Sequence, residues 1–197
     1  MAQGFLTIEE TILLAERGLT IMDPFSTLVS KQARLSSGIF VWPNVTIIAG
    51  KRVDVSIGSG TVLHSGVRVE AVAGPINVGA DRDIGQQCGF TLLTAGNDDA
   101  ITIGNGARLN GGGSIAINSK IGDGAQILGP IRVQHCLLGA GGSHKEPDPD
   151  RRGGVLKGAG VARDLEIPTG MVIQAFGIFA EATLRPQTYF HPAAKRS

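Results

Sequence analysis

An aliphatic residue returns at every sixth position along much of this chain, and that interval limits the backbone to one kind of architecture. Ile103, Leu109, Ile115, Ile121, Ile127 and Val133 form an uninterrupted run. Val29, Leu35, Val41, Ile47 and Val53 form a second, Ile57, Leu63 and Val69 a third, Val78, Ile84 and Phe90 a fourth, and Val155, Val161, Ile167 and Ile173 a fifth. A period of six matches neither a helix at 3.6 residues nor a two-faced strand at two. It matches a parallel β-helix of hexapeptide repeats, in which each hexad is one flat face of a coil and stacked coils enclose a continuous core. A sandwich of short strands would alternate at period two without a fixed six-residue register.

Glycine supports this reading. Gly58, Gly79, Gly85, Gly104 and Gly122 directly follow the aliphatic residue, and the position four after it is small or apolar, as at Val45, Thr61, Cys88, Ala107, Ser119 and Ala125. The 29 glycines therefore read as corners of coils, where backbones pass closely. Thr7 to Arg17 reads as a short helix, with Thr7 and Glu10 as a capping box, Ile8, Ile12 and Leu13 as its apolar side and Gly18 as its stop. The expected organisation is an amino-terminal helical segment (1–18), a β-helix (19–180) interrupted by a loop at 139–154, and an extended carboxy-terminal tail (181–197). Further breaks in the repeat fall at Val53 to Ile57 and at a polar turn around Gly96 to Ala100.

Composition excludes several classes of function. A net charge of +1 leaves no basic face for nucleic acid. No apolar run is long enough to span a membrane, and no charged start followed by an apolar stretch and a cleavage site is present. The two cysteines, Cys88 and Cys136, lie on or beside the inward row and read as buried space-filling thiols, so a reducing, cytoplasmic setting is expected.

Hexads of the form Ile-Gly-Asp-Gly-Ala-Gln, here Ile121 to Gln126, resemble those of the left-handed hexapeptide-repeat acyltransferases. The closing stretch, Gly158-Ala159-Gly160-Val161 followed by Ile167-Pro168-Thr169-Gly170, is similar to their last-coil pattern. Gly18 to Pro24 looks like the entry to the β-helix of the bifunctional N-acetylglucosamine-1-phosphate uridyltransferase and glucosamine-1-phosphate acetyltransferase. In place of the basic Asn-Pro-Ala-Lys segment of many coenzyme A-using relatives stands Ile173 to Ile178. The resemblance implies an all-β, left-handed parallel β-helix assembled as a homotrimer. It also implies acyl transfer, without metal, from an acyl-CoA co-substrate, acetyl-CoA above all, to a hydroxyl or amine of a small sugar-like acceptor, with a histidine as general base.

Four histidines compete for that role. His135 falls two positions after Val133, the slot in which the resemblance places the base, and is the preferred base with His144 in reserve, although counting back from Leu138 puts Gln134 in that slot: the register slips within this hexad. His144 stands in the glycine-rich, charged loop at 139–154. His64 sits at a corner, where a structural role is expected, and His191 in the tail is expected to face solvent. Lys145, Arg151, Arg152 and Lys157 are candidates to bind a phosphate or carboxylate of the substrate. A zinc enzyme of the same fold would need three ligating histidines, and His64, His135 and His144 do not have the required paired spacing. A non-catalytic β-helix serving as a scaffold or a nucleotide-sugar-binding regulatory module would show the same hexads and stays open at this level.

Overall fold

The computed structural model describes residues 4–191. As far as Gln126–Leu128 its strands pair in parallel with the strand three places later, the pattern of a three-faced β-helix; beyond that the long strand Val155–Arg163 serves two faces and the step becomes two. On the first face the column Val41, Leu63, Ile84, Leu109, Ile127, Leu156 and Ile173 runs from coil to coil in strict register. The second face stacks Val29, Ile47, Val69, Leu92, Ile115, Val133 and Ala162. The third stacks Leu35, Ile57, Val78, Ile103, Ile121, Leu138 and Ile167. All three columns are buried and together form the core.

The sixfold interval identifies most members of these columns and misplaces a few. Val161 is 37% exposed, and Ala162 takes its place inside, because pairing of Leu156 with Ile127 sets the register of the strand Val155–Arg163 one residue later. The interval from Ala162 to Ile167 is then one position short of a hexad, as is that from Val133 to Leu138, and the columns realign at Ile167. Phe90 is buried at a corner while Leu92 occupies the column, and the turn at Lys51–Arg52 brings Val55 rather than Val53 fully inside. Cys136 is buried, but Cys88 is exposed, contrary to its expected place on the inward row.

At the amino-terminal side a short α-helix, Ile8–Ile12, continues as a 3-10 helix, Leu13–Arg17. The Thr7/Glu10 capping box is present, and Gly18 ends the helix with a φ of 78°, a left-handed conformation that costs glycine little. The buried side differs from the expected one. Thr11 and Leu14, three residues apart and so on one side of the helix, are buried, whereas Ile8, Ile12 and Leu13 are exposed. At the other side the strand Met171–Ile178 is followed by a turn that buries Phe179, and Leu184–Pro186 pairs antiparallel with Met171–Ile173, covering the last open edge. Among the described residues no helix is long and apolar enough to cross a membrane.

Because column residues have neighbours above, below and across the hollow, Ile127→Ala should lose about 2–5 kcal/mol in urea unfolding. Val161→Ala, on the same sixfold interval but facing outward, should stay within about 0.5 kcal/mol of the parent.

Candidate functional site

Register explains how the outward side chains of the first face come together. Asp83, Arg108, Gln126, Val155 and Val172 each precede a column residue and stack on successive coils. Leu128 and Lys157 each follow a column residue and stack likewise. Between these two ladders opens a cavity of about 310 Å³. Arg108, Arg152 and Lys157 place three cations on its wall, Leu128, Val155 and Val172 give it an apolar floor, and His144 stands at its rim.

The loop at 139–154 is folded back on itself rather than extended. Gly142 bridges to Arg152, with the Gly142 N–H donating to Arg151 O at 2.8 Å and the Gly153 N–H donating to Gly142 O at 3.0 Å. Arg152 is held by its Nε donating to Glu146 O at 2.8 Å, which leaves the rest of its guanidinium on the cavity wall. Of the four cations proposed from the sequence, Arg152 and Lys157 line the cavity, and Lys145 and Arg151 do not. Lys145 still acts on the site through its charge.

His144 has its pKa lowered from the ordinary imidazole value. Partial desolvation is the main cause; the charges of Arg108, Lys145 and Arg152 add to it, and Asp83 opposes them. The imidazole is thereby biased toward the neutral form, which can accept a proton near neutral pH. Arg108 carries a buried Nε without a hydrogen-bond partner, an orphaned donor beside the cavity.

The carboxy-terminal tail completes the wall. Gln187 is buried and its Nε2 donates to Gly153 O at 2.8 Å. The N–H and Oγ1 of Thr188 each donate to the Asp150 carboxylate at 2.9 Å. Phe190 lies 6.0 Å below the Lys157 ammonium, and His191, exposed as expected, also borders the cavity. Loop and tail are thus fastened to each other and to the site.

His135 lies elsewhere, on the corner between Ile131–Gln134 and Leu137–Leu138. This corner is a left-handed turn on three successive coils, with Ile117 at φ 57°, His135 at φ 51° and Asp164 at φ 55°. His135 Nδ1 and Asp164 Oδ1 are 3.2 Å apart, and the imidazole is 51% exposed over an open depression that shares no lining residue with the His144 cavity. The two candidate bases therefore belong to separate places. His64 is engaged, as its corner position suggested: Nε2 is 2.8 Å from Asp83 Oδ1, and its ring stacks on Trp42. Among the described residues no three His, Cys, Asp or Glu side chains gather as a metal site.

Arg108, Gln126 and Leu128 escaped the sequence reading although a signal existed, since Arg108 and Gln126 hold the same hexad position on adjacent coils. For the tail residues Gln187 and Phe190 no periodic signal exists, because they lie beyond the repeats.

No protein-family model matches this chain, and no curated protein matches it. Solved structures that match include PerB from Caulobacter crescentus in complex with CoA and GDP-perosamine, at 16% identity and a TM-score of 0.25. A mutant of GDP-perosamine N-acetyltransferase from the same organism, with the same two ligands, matches at 17% identity and 0.25. A second mutant matches at 16% and 0.22. Each comparison covers 81% of this chain and 56% of the other, so the chain spans little more than half the length of those proteins. At so low an identity and overlap, the chemistry rests on the residues of the cavity themselves.

Asp150→Ala removes both acceptors of Thr188 and should loosen the tail from the loop. Chymotryptic cleavage after the exposed Tyr189 should then speed up about tenfold, the change expected for losing roughly 1.4 kcal/mol of local protection. An unchanged cleavage rate would show that the tail is held by other contacts.

Proposed function

We propose that the chain is an acyltransferase, moving an acyl group from a thioester donor, acyl-CoA, to a hydroxyl or amine of a small sugar-like acceptor, with His144 as general base. The observation that carries this reading is a neutral-biased imidazole on the rim of a cavity whose wall holds three cations, one with an orphaned buried N–H. Such a wall suits the phosphates of a coenzyme A donor, to which Arg108 and Arg152 can present planar donors and Lys157 a point charge. The aliphatic floor and Phe190 suit the less polar arm that leads to the thioester.

In the proposed reaction the acceptor nitrogen or oxygen attacks the thioester carbonyl while His144 removes its proton. The tetrahedral oxyanion collapses, the carbon–sulfur bond breaks, and the proton passes to the departing thiolate. His135, on an open corner away from the cations, is left out of this chemistry. Assembly as a homotrimer in the cytoplasm belongs to the same proposal, and a neighbouring copy would then close the open side of the cavity.

Thiol release from acetyl-CoA with a panel of amino sugars checks the reading. His144→Ala should lower kcat/KM by about 10²–10⁴-fold, the usual contribution of a general base, and His135→Ala should leave it nearly unchanged. The reverse pattern would move the base to His135, and no thiol release with any acceptor would favour a scaffold. The pH profile gives a separate check: because the folded environment lowers the His144 pKa, the acid limb of kcat/KM should lie below the ordinary value of 6.5. Arg108→Gln, by removing a charge that holds the imidazole neutral, should shift that limb upward.

A further inference from the structure

A second cluster lies lower on the same corner of the β-helix. Trp42 and His64 each directly follow a column residue, Val41 and Leu63, on adjacent coils, so their side chains stack outward in register. Their ring centroids are 6.0 Å apart at an interplanar angle of 12°. Asp83, one coil further, places Oδ1 2.8 Å from His64 Nε2 and so fixes the orientation of the imidazole. Ser65, Gly85, Gln87 and Cys88 complete a depression of about 170 Å³. Trp42 is 40% exposed, an uncommon state for the large indole surface.

A second depression lies between this one and the His144 cavity. Gln87 also lines the neighbouring depression, whose other walls include Arg108 and Lys157, and both of those residues line the cavity above. The Asp83 carboxylate acts on the ionisation of His144 from below. This side of the coils therefore carries cations at Arg108, Arg152 and Lys157 toward one end and, toward the other, the stacked Trp42 and His64 rings with the Asp83 carboxylate against the imidazole. A phosphate suits the first end. The second disfavours a phosphate and suits a ring with a C–H face and an ammonium group.

We propose that Trp42, His64 and Asp83 form a binding subsite for a hexosamine ring, with the indole against its C–H face and the amine held by Asp83 and His64. This deepens the acyl-transfer reading and rests on it for the fate of the amine, since Asp83 would present the nitrogen toward His144. Binding itself does not require turnover.

Trp42 is the single tryptophan of the chain, so its fluorescence reports on this subsite alone. Over the millimolar range glucosamine should change its emission saturably, and glucose and N-acetylglucosamine, which lack the charged amine, should bind at least about tenfold more weakly, as expected for losing one charge-assisted hydrogen bond. Asp83→Asn, close in shape, should erase the difference between the three sugars, with an unchanged circular dichroism melt showing that the fold is kept. Where thiol release is observed, Trp42→Ala should raise the KM for glucosamine about tenfold and leave that for acetyl-CoA unchanged. Emission indifferent to glucosamine, equal response to glucose, or an unchanged KM would overturn the subsite while acyl transfer dependent on His144 stood. Saturable glucosamine binding without thiol release from any donor would do the opposite, keeping the subsite and removing the acyl-transfer reading.

Discussion

Parallel hydrogen bonding between coils holds one residue of every strand directly above its counterpart, and the rest of the molecule follows from that registration. It lines Val41, Leu63, Ile84, Leu109, Ile127, Leu156 and Ile173 into a single buried column. A column of this kind tolerates excursions of very different length, because only the strand that returns must fit. The folded loop at 139–154 leaves after Leu138 and the chain still places Leu156 on Ile127. The corners that turn one face into the next take positive φ angles, as at Ile117, His135 and Asp164 on three successive coils.

The same registration builds the surface. Side chains beside a column residue are stacked as firmly as the column itself, so outward ladders become walls with chosen chemistry. On the first face they set Asp83 beneath Arg108, followed by Gln126, with Leu128 and Lys157 on the adjacent ladder. Charges brought this close to a partly desolvated imidazole alter its ionisation. His144 is neutral-biased because solvent is partly excluded and because Arg108, Lys145 and Arg152 stand near it, with Asp83 opposing, an effect of placement rather than of local sequence.

Much of the fold was legible in the sequence, since aliphatic spacing reports directly which side of a strand is buried. Ile103 through Val133 fall inside as the interval requires. Val161 does not, and no local pattern could show it: Val161 and Ala162 are both apolar, and only pairing with the preceding coil selects Ala162. The helix shows a similar limit. Its capping box was readable from Thr7 and Glu10, but its buried side, Thr11 and Leu14, was decided by how the helix docks on the first coil, a long-range contact.

For the site the division is sharper. Charged residues in a glycine-rich loop identified His144 and Arg152 as candidates, since such a loop cannot continue the coil. By itself the sequence determined a hexad-built parallel β-helix, its corners, and a chemically equipped loop, because these depend on spacing and residue type. Only the tertiary structure decided that His144 shares a cavity with Arg108, that His135 does not, and that Gln187 and Phe190 close the wall from the tail. Those outcomes depend on where coils stack and where a returning chain docks, and such long-range contacts have no periodicity along the chain to announce them.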